Sequence, residues 1–175
     1  MRKFFNTVVL IATFLSLDSC TTINGTLLGT YEPIKNITTD LDYEKTWEKI
    51  VDLFAELAIP ISVIDKESGI ITSNEAVFGP DVVTMEFKYG HIFPDPDKWF
   101  VVPYNNRAWG YGAKCMFNIR LKKTDNGKTN VQVYFHNLIG NYEYRSIQDN
   151  NKYPIGCKCK STGEFEKLLM QWLQQ

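Results

Sequence analysis

Apolar and polar positions along this chain change period several times, and each change marks an element. Between residues 42 and 58, Tyr43, Trp47, Ile50, Val51, Phe54 and Leu57 recur at steps of three and four, while Glu44, Lys45, Glu48, Lys49, Asp52 and Glu56 fall largely opposite. That spacing predicts an amphipathic helix. Thr39 or Asp40 can cap its start, and Pro60 bars its continuation, having no N–H to donate. Trp47 is expected as a core anchor against a sheet.

The period then falls to two. Strands are predicted near 61–65 and 69–73, joined by the polar turn Lys66-Glu67-Ser68-Gly69. Gly69 is expected to supply a positive φ or a bulge, and Asp65 to accept backbone hydrogen bonds across the turn. Residues 74–81 read as a connection, 82–89 as a strand, and 99–102 as a candidate short strand within a loop-rich segment. From 113 to 123, Cys115, Phe117, Ile119 and Leu121 alternate with Lys114, Asn118, Arg120 and Lys122. A turn centred on Asn126-Gly127 follows. Residues 129–138 return with Val131, Val133 and Phe135 facing in and His136 on the wet face. One buried and one solvated face favour antiparallel pairing. Residues 140–156 read as a Tyr-rich loop with short structure around 142–145, and a last short strand is expected over 156–160. Ser161 with Glu164 fits a capping box before a helix whose apolar face is Phe165, Leu168, Leu169, Trp172 and Leu173. The order is helix, five or six strands, helix. Two amphipathic helices and one sheet need a shared core, so the predicted fold class is α+β: a curved antiparallel sheet of five or six strands with both helices packed on one face.

The N-terminus follows different rules. Arg2 and Lys3 precede a mostly apolar run from Phe4 to Leu17, shorter than the roughly 20 apolar residues that span a bilayer. A charged start, an apolar core and small residues before a cut describe a secretory signal. Leu17-Asp18-Ser19-Cys20 resembles the lipobox of bacterial lipoproteins, with Asp18 departing from the small uncharged residue usual there. The resemblance implies cleavage after Ser19 and diacylglycerol attachment at Cys20. Without lipidation, Cys20 is an ordinary residue beside a signal-peptidase cut. The expected organisation is a signal peptide over 1–19, a flexible Thr-, Asn- and Gly-rich tether over 20–38, and one domain over 39–175. Membrane attachment would then run through the Cys20 lipid, whose acyl chains contribute about 0.8 kcal/mol per buried methylene.

Charge narrows the partners. The chain carries 19 basic and 20 acidic side chains, and losing Arg2, Lys3 and Asp18 leaves 17 and 19, a net charge of about −2. The basic residues are scattered, so nucleic acid is not an expected partner.

Two stretches carry a further resemblance. One runs from Thr46-Trp47 through Ile59-Pro60-Ile61 to Asp65-Lys66-Glu67-Ser68-Gly69-Ile70-Ile71-Thr72. The other is Cys159-Lys160-Ser161-Thr162-Gly163-Glu164-Phe165-Glu166. They resemble periplasmic lipoproteins of Bacteroides-type bacteria and, more distantly, the domains of the outer-membrane-assembly lipoprotein C family. That resemblance implies a helix-grip-like α+β fold, an outer-membrane location facing the periplasm and association with envelope proteins. The aromatic segment over 90–112 departs from the family.

Candidate chemistry is sparse. In an oxidising compartment Cys115 could bridge Cys157 or Cys159, and free buried thiols are the other reading. His91 and His136, with Cys157 and Cys159, match no standard metal spacing. No catalytic constellation, metal site or cofactor is expected. The best lead is the 90–112 segment, where Trp99, Phe100, Tyr104, Arg107, Trp109 and Tyr111 form a candidate binding surface of the residue types that anchor interfaces. The same rings could fill the core. The leading expectation is a non-enzymatic, lipid-anchored scaffold for envelope proteins; the alternative is a glycan-binding module or hydrolase using this loop.

Overall fold

The computed structural model describes residues 26–86, the backbone of 92–93, and residues 97–145 and 151–175. Cys20, the signal sequence and His91 lie outside them. In chain order the elements are β1 (Asn36–Thr39), α1 (Tyr43–Glu56), β2 (Ile61–Asp65), β3 (Ile70–Ser73), β4 (Ala76–Phe78), β5 (Val83–Glu86), β6 (Ile92–Phe93), β7 (Phe100–Pro103), β8 (Gly110–Lys123), β9 (Thr129–Arg145), β10 (Lys152–Cys157), β11 (Lys160–Ser161) and α2 (Glu164–Gln174). The fold is α+β.

Helix α1 starts within one residue of its apolar period, but its cap is neither Thr39 nor Asp40. Asp42 caps it, accepting the Lys45 N–H at 2.9 Å, while Thr39 is held in β1 and Asp40 pairs with Lys128. It ends in a Schellman turn. Ile59 N–H donates to Phe54 O at 2.8 Å and Ala58 N–H to Ala55 O at 3.1 Å, with Ala58 in the left-handed region at φ 51°. That position usually holds glycine.

The β2–β3 hairpin forms as its turn residues dictate. Asp65 Oδ1 accepts the N–H groups of Glu67 and Ser68, both at 3.1 Å, and Oδ2 accepts the Ser68 hydroxyl at 2.6 Å. Gly69 has φ +70°, and a Cβ there would press into the Leu121 carbonyl.

One sheet was expected and two form. The larger has seven antiparallel strands in the order β1-β9-β8-β3-β2, with β10 beside β9 and β4 on β8. The smaller has the order β11-β7-β5-β6, and its β5–β7 pair is parallel. The short strand expected at 99–102 forms as β7 over 100–103, but segments of two to four residues such as this and 76–78 are too short to show which strands they pair with. The loop expected over 140–156 is instead the far half of β9 together with β10, paired from Gly140↔Cys157 to Arg145↔Lys152. Its polar, Tyr-rich composition hid this, because ladder hydrogen bonds from a neighbouring strand are invisible to sequence period.

Phe117 of β8 is the hub of the core. Its ring lies 5.8 Å from Phe54 of α1 and 4.7 Å from Phe165 of α2, so both helices cover one face of the large sheet. Phe135 is opposite it on β9 at 5.3 Å. Further along the same face the helices give way to the small sheet. Phe100 packs 5.3 Å from Phe135, and Gly140 lets Val102 and the Cys157 thiol close onto β9, since a Cβ there would overlap both.

The capping box at Ser161 does not form. The cap position falls to Gly163; Ser161 Oγ accepts the Gly163 N–H at 3.1 Å and Thr162 Oγ1 accepts the Glu164 N–H at 3.3 Å. Pairing of Lys160-Ser161 with β7 holds Ser161 in a strand and delays the helix. Part of the segment expected as a tether over 20–38 is bonded to the domain. Leu28, Gly29 and Tyr31 bond to Glu86, and β1 pairs with β9 from Asn36 onward.

Candidate functional site

The structure divides the aromatic segment. Phe100 is fully buried. Trp99 is sandwiched between Phe78 at 5.8 Å and Phe165 at 5.2 Å. Both belong to the core, which corrects their place on the candidate binding surface. The reason lies in the small sheet: β7 is buried along its whole length, so rings at its start point inward. Tyr111 is half-buried against the core. Tyr104, Arg107 and Trp109 remain exposed at the end of the β8–β9 hairpin, and the Arg145 guanidinium lies over the Trp109 indole at 5.6 Å.

Cys115, Cys157 and Cys159 are free thiols. Burial pushes Cys115 up to about 12 and Cys157 up to about 11, the latter against the lowering effect of the Tyr142 hydroxyl. Cys159 is raised by burial and then by the charges of Cys157 and Cys115. Such thiols are poor nucleophiles at neutral pH. Among the described residues no group of three or more His, Cys, Asp or Glu side chains is placed to hold a metal.

A cleft of about 440 Å³ brings together residues that no local pattern associates. Tyr31, Pro33 and Lys35 of the N-terminal segment form one wall, and Cys159, Lys160 and Ser161 the other. Val133 to His136 and Leu138 of β9 form the floor, with Glu166 of α2 behind it. Strand pairing explains the opening. On one side of β9, β1 pairs through Asn36↔Gln132 and β10 takes over from Cys157↔Gly140. Among the described residues no strand pairs with β9 on that side between these two. Val133 N–H still reaches Lys35 O at 3.3 Å, and strand alternation turns the backbone of Phe135 to the same edge. Asn137, at φ 53°, lies in the middle of the gap, across from the irregular register at Lys114/Met116 on β8.

The polar groups of the cleft are committed to structure. The Ser161 hydroxyl lies 3.1 and 3.2 Å from the two oxygens of Glu166, which is 1% exposed. Burial raises the Glu166 pKa above the ordinary carboxylate value, against the lowering effect of Ser161. Tyr31 is raised by burial and then by its hydrogen bond to Glu86. Lys160 lies over the Tyr31 ring at 6.0 Å. Lys35, Lys160 and His136 are exposed at the rim. The cleft is therefore an apolar floor with two lysines at its rim.

Glu86 and Glu166 escaped sequence reasoning. Glu86 has no signal beyond a carboxylate in a strand. Glu166 had one: with Leu169, Met170 and Leu173 it completes an i, i+3, i+4, i+7 set, which places it on the inward face of α2.

Among the described residues no helix is long and apolar enough to cross a membrane. No protein-family model matches the chain, and no curated protein matches it.

Proposed function

We propose that this protein is a lipid-anchored cell-envelope protein, tethered through Cys20 at the periplasmic face of the outer membrane, which binds a partner protein rather than turning over a substrate. The observation that carries the binding reading is the interrupted edge of β9. Strands β1 and β10 flank a gap over 134–139 that opens into the cleft. An extended peptide of about six residues, roughly 20 Å long, fits such a gap as an added strand. Main-chain bonds supply affinity, the floor of Val133, Phe135 and Leu138 takes its apolar side chains, and Lys35 and Lys160 favour acidic ones.

The same cleft argues against a hydrolytic role. Glu166 directs both oxygens at Ser161, whose hydroxyl also accepts the Gly163 N–H at the start of α2. These groups hold an element boundary. The motif residues on which the resemblance to the assembly lipoprotein C family rests act likewise, Asp65 and Gly69 by fixing the β2–β3 turn. The resemblance therefore supports the envelope reading through fold rather than through shared chemistry.

Two measurements test the proposal. Mass spectrometry of the mature N-terminus should find diacylglyceryl Cys20; an unprocessed Met1 or a bare Cys20 overturns the anchor. A photo-crosslinking residue at Tyr134 in cells making the full chain should give a discrete protein adduct, lost when Lys35 and Lys160 become Glu. No adduct, or the same adduct from the remote Lys122, overturns the binding site.

A further inference from the structure

The N-terminal segment joins the domain at the end that carries the exposed part of the aromatic segment. Leu28 and Gly29 donate their backbone N–H groups to Glu86. Glu86 is in register with Pro103 on the adjacent parallel strand, and Tyr104 follows directly. The next residue, Asn105, lies with its amide 3.3 Å from Met85 Sδ. It also starts the turn that leads to Trp109, accepting the Arg107 N–H at 3.0 Å and the Ala108 N–H at 3.3 Å. Glu86 and Tyr104 are thus separated by one strand spacing and one residue, on the order of 10 Å. The opposite end of the domain holds the β8–β9 turn and the Asp40–Lys128 pair.

This end presents exposed rings beside exposed cations. Trp109 is 73% exposed and Tyr104 41%. Arg107 and Arg145 are exposed beside them, and Lys152, in register with Arg145, bridges Glu143 at 3.0 Å. Among the described residues here, Arg107, Arg145 and Lys152 accompany Glu143 and the buried Glu86, on a chain of net charge −1. An exposed indole with a guanidinium over its face is suited to the headgroup layer of a bilayer. Amphipathic rings prefer that depth, and arginine pairs with phosphate in bidentate fashion.

We propose that this end of the domain is a second membrane contact. Trp109 and Tyr104 enter the headgroup layer of an anionic bilayer, and Arg107 and Arg145 pair with lipid phosphates. The choice of a bilayer as occupant rests on the lipid anchor proposed above. Eight residues take the chain from Cys20 to Leu28, a reach of at most about 29 Å. An anchored Cys20 therefore keeps this end, and not the Lys128 end, near the headgroups. The two contacts together fix the orientation of the domain, which a single flexible attachment cannot do.

The test uses the mature chain from residue 20 with Cys20→Ser, which keeps every described residue of the domain. It bears no lipid, so its result reports the patch alone and stands whether or not Cys20 is modified in cells. It should sediment with phosphatidylethanolamine–phosphatidylglycerol vesicles and far less with phosphatidylcholine. Changing both Arg107 and Arg145 to Gln should lower the partition coefficient roughly thirtyfold, with an unchanged far-ultraviolet circular dichroism spectrum. Brominated acyl chains should quench the tryptophan emission, and Trp109→Phe should abolish the quenching, because Trp47 is buried and Trp99 and Trp172 are half-buried. Absence of binding to the anionic vesicles overturns the proposal, as does binding that the double arginine variant leaves unchanged. Quenching that survives Trp109→Phe overturns it too. So does a photo-crosslinker at position 109 that captures protein and no lipid in cells.

Discussion

The Tyr31 hydroxyl donates a 2.9 Å hydrogen bond to Glu86, 55 positions further along the chain. With the N–H groups of Leu28 and Gly29 it gives a buried carboxylate three donors, all from one N-terminal segment. A buried polar group left unpaired costs its full desolvation. Glu86→Gln keeps the shape but turns an amide toward three donors. It should cost about 2 kcal/mol in urea denaturation, with faster proteolysis between residues 26 and 35. Tyr31→Phe should cost about 1 kcal/mol, and a double-mutant cycle should show the two changes coupled.

Gly69 meets two constraints at once: φ +70° and contact with the Leu121 carbonyl. Leu121 N–H also bonds to Gly69 O at 2.8 Å, so the backbone cannot withdraw. Gly69→Ala should lose about 3 kcal/mol or more, read as a fall in the denaturation midpoint with an unchanged slope.

Glu166 predicts the sign of a pH effect. Its folded pKa is raised by burial, while the unfolded chain has the ordinary value. Between the two values the folded state binds more protons, so its contribution to stability is full at acid pH and is lost as pH rises through the folded value. Glu166→Gln removes that loss, since an amide oxygen still accepts from Ser161. The variant should match the parent near pH 4 and exceed it at pH 8. Thermal melts at the two values check this, and equal differences at both would contradict it.

The thiols predict slow labelling. Against an ordinary value of 9.0, Cys115 at about 12 and Cys157 at about 11 hold far less thiolate at pH 8. Alkylation by iodoacetamide should run roughly 100- to 1000-fold slower in the folded protein than in urea, counting ionisation alone. Mass spectrometry of peptides after timed labelling gives the rates site by site.

How much of this was legible depends on where each constraint lies. The β2–β3 turn was readable because Asp65, Ser68 and Gly69 act within five residues of one another. The two helices were readable because an apolar stripe is a local pattern; their caps were not, since Thr39 and Ser161 are held in β1 and β11. Trp99 and Phe100 look like a binding surface beside Trp109 in the sequence. Only the pairing of β7 with β5 and β11 turns the first two inward and leaves the third outside.

The sequence by itself determined the α+β class, the central hairpin and both amphipathic helices, and it carries at Cys20 a stretch that resembles a lipobox. Each rests on neighbours in the chain, where periodicity and turn chemistry act directly. The tertiary structure alone decided the second sheet, the buried Glu86 and Glu166, the gap in the β9 edge and which end of the domain receives the N-terminal segment. Those features join residues tens of positions apart, and desolvation and strand pairing between distant segments leave no mark on local period.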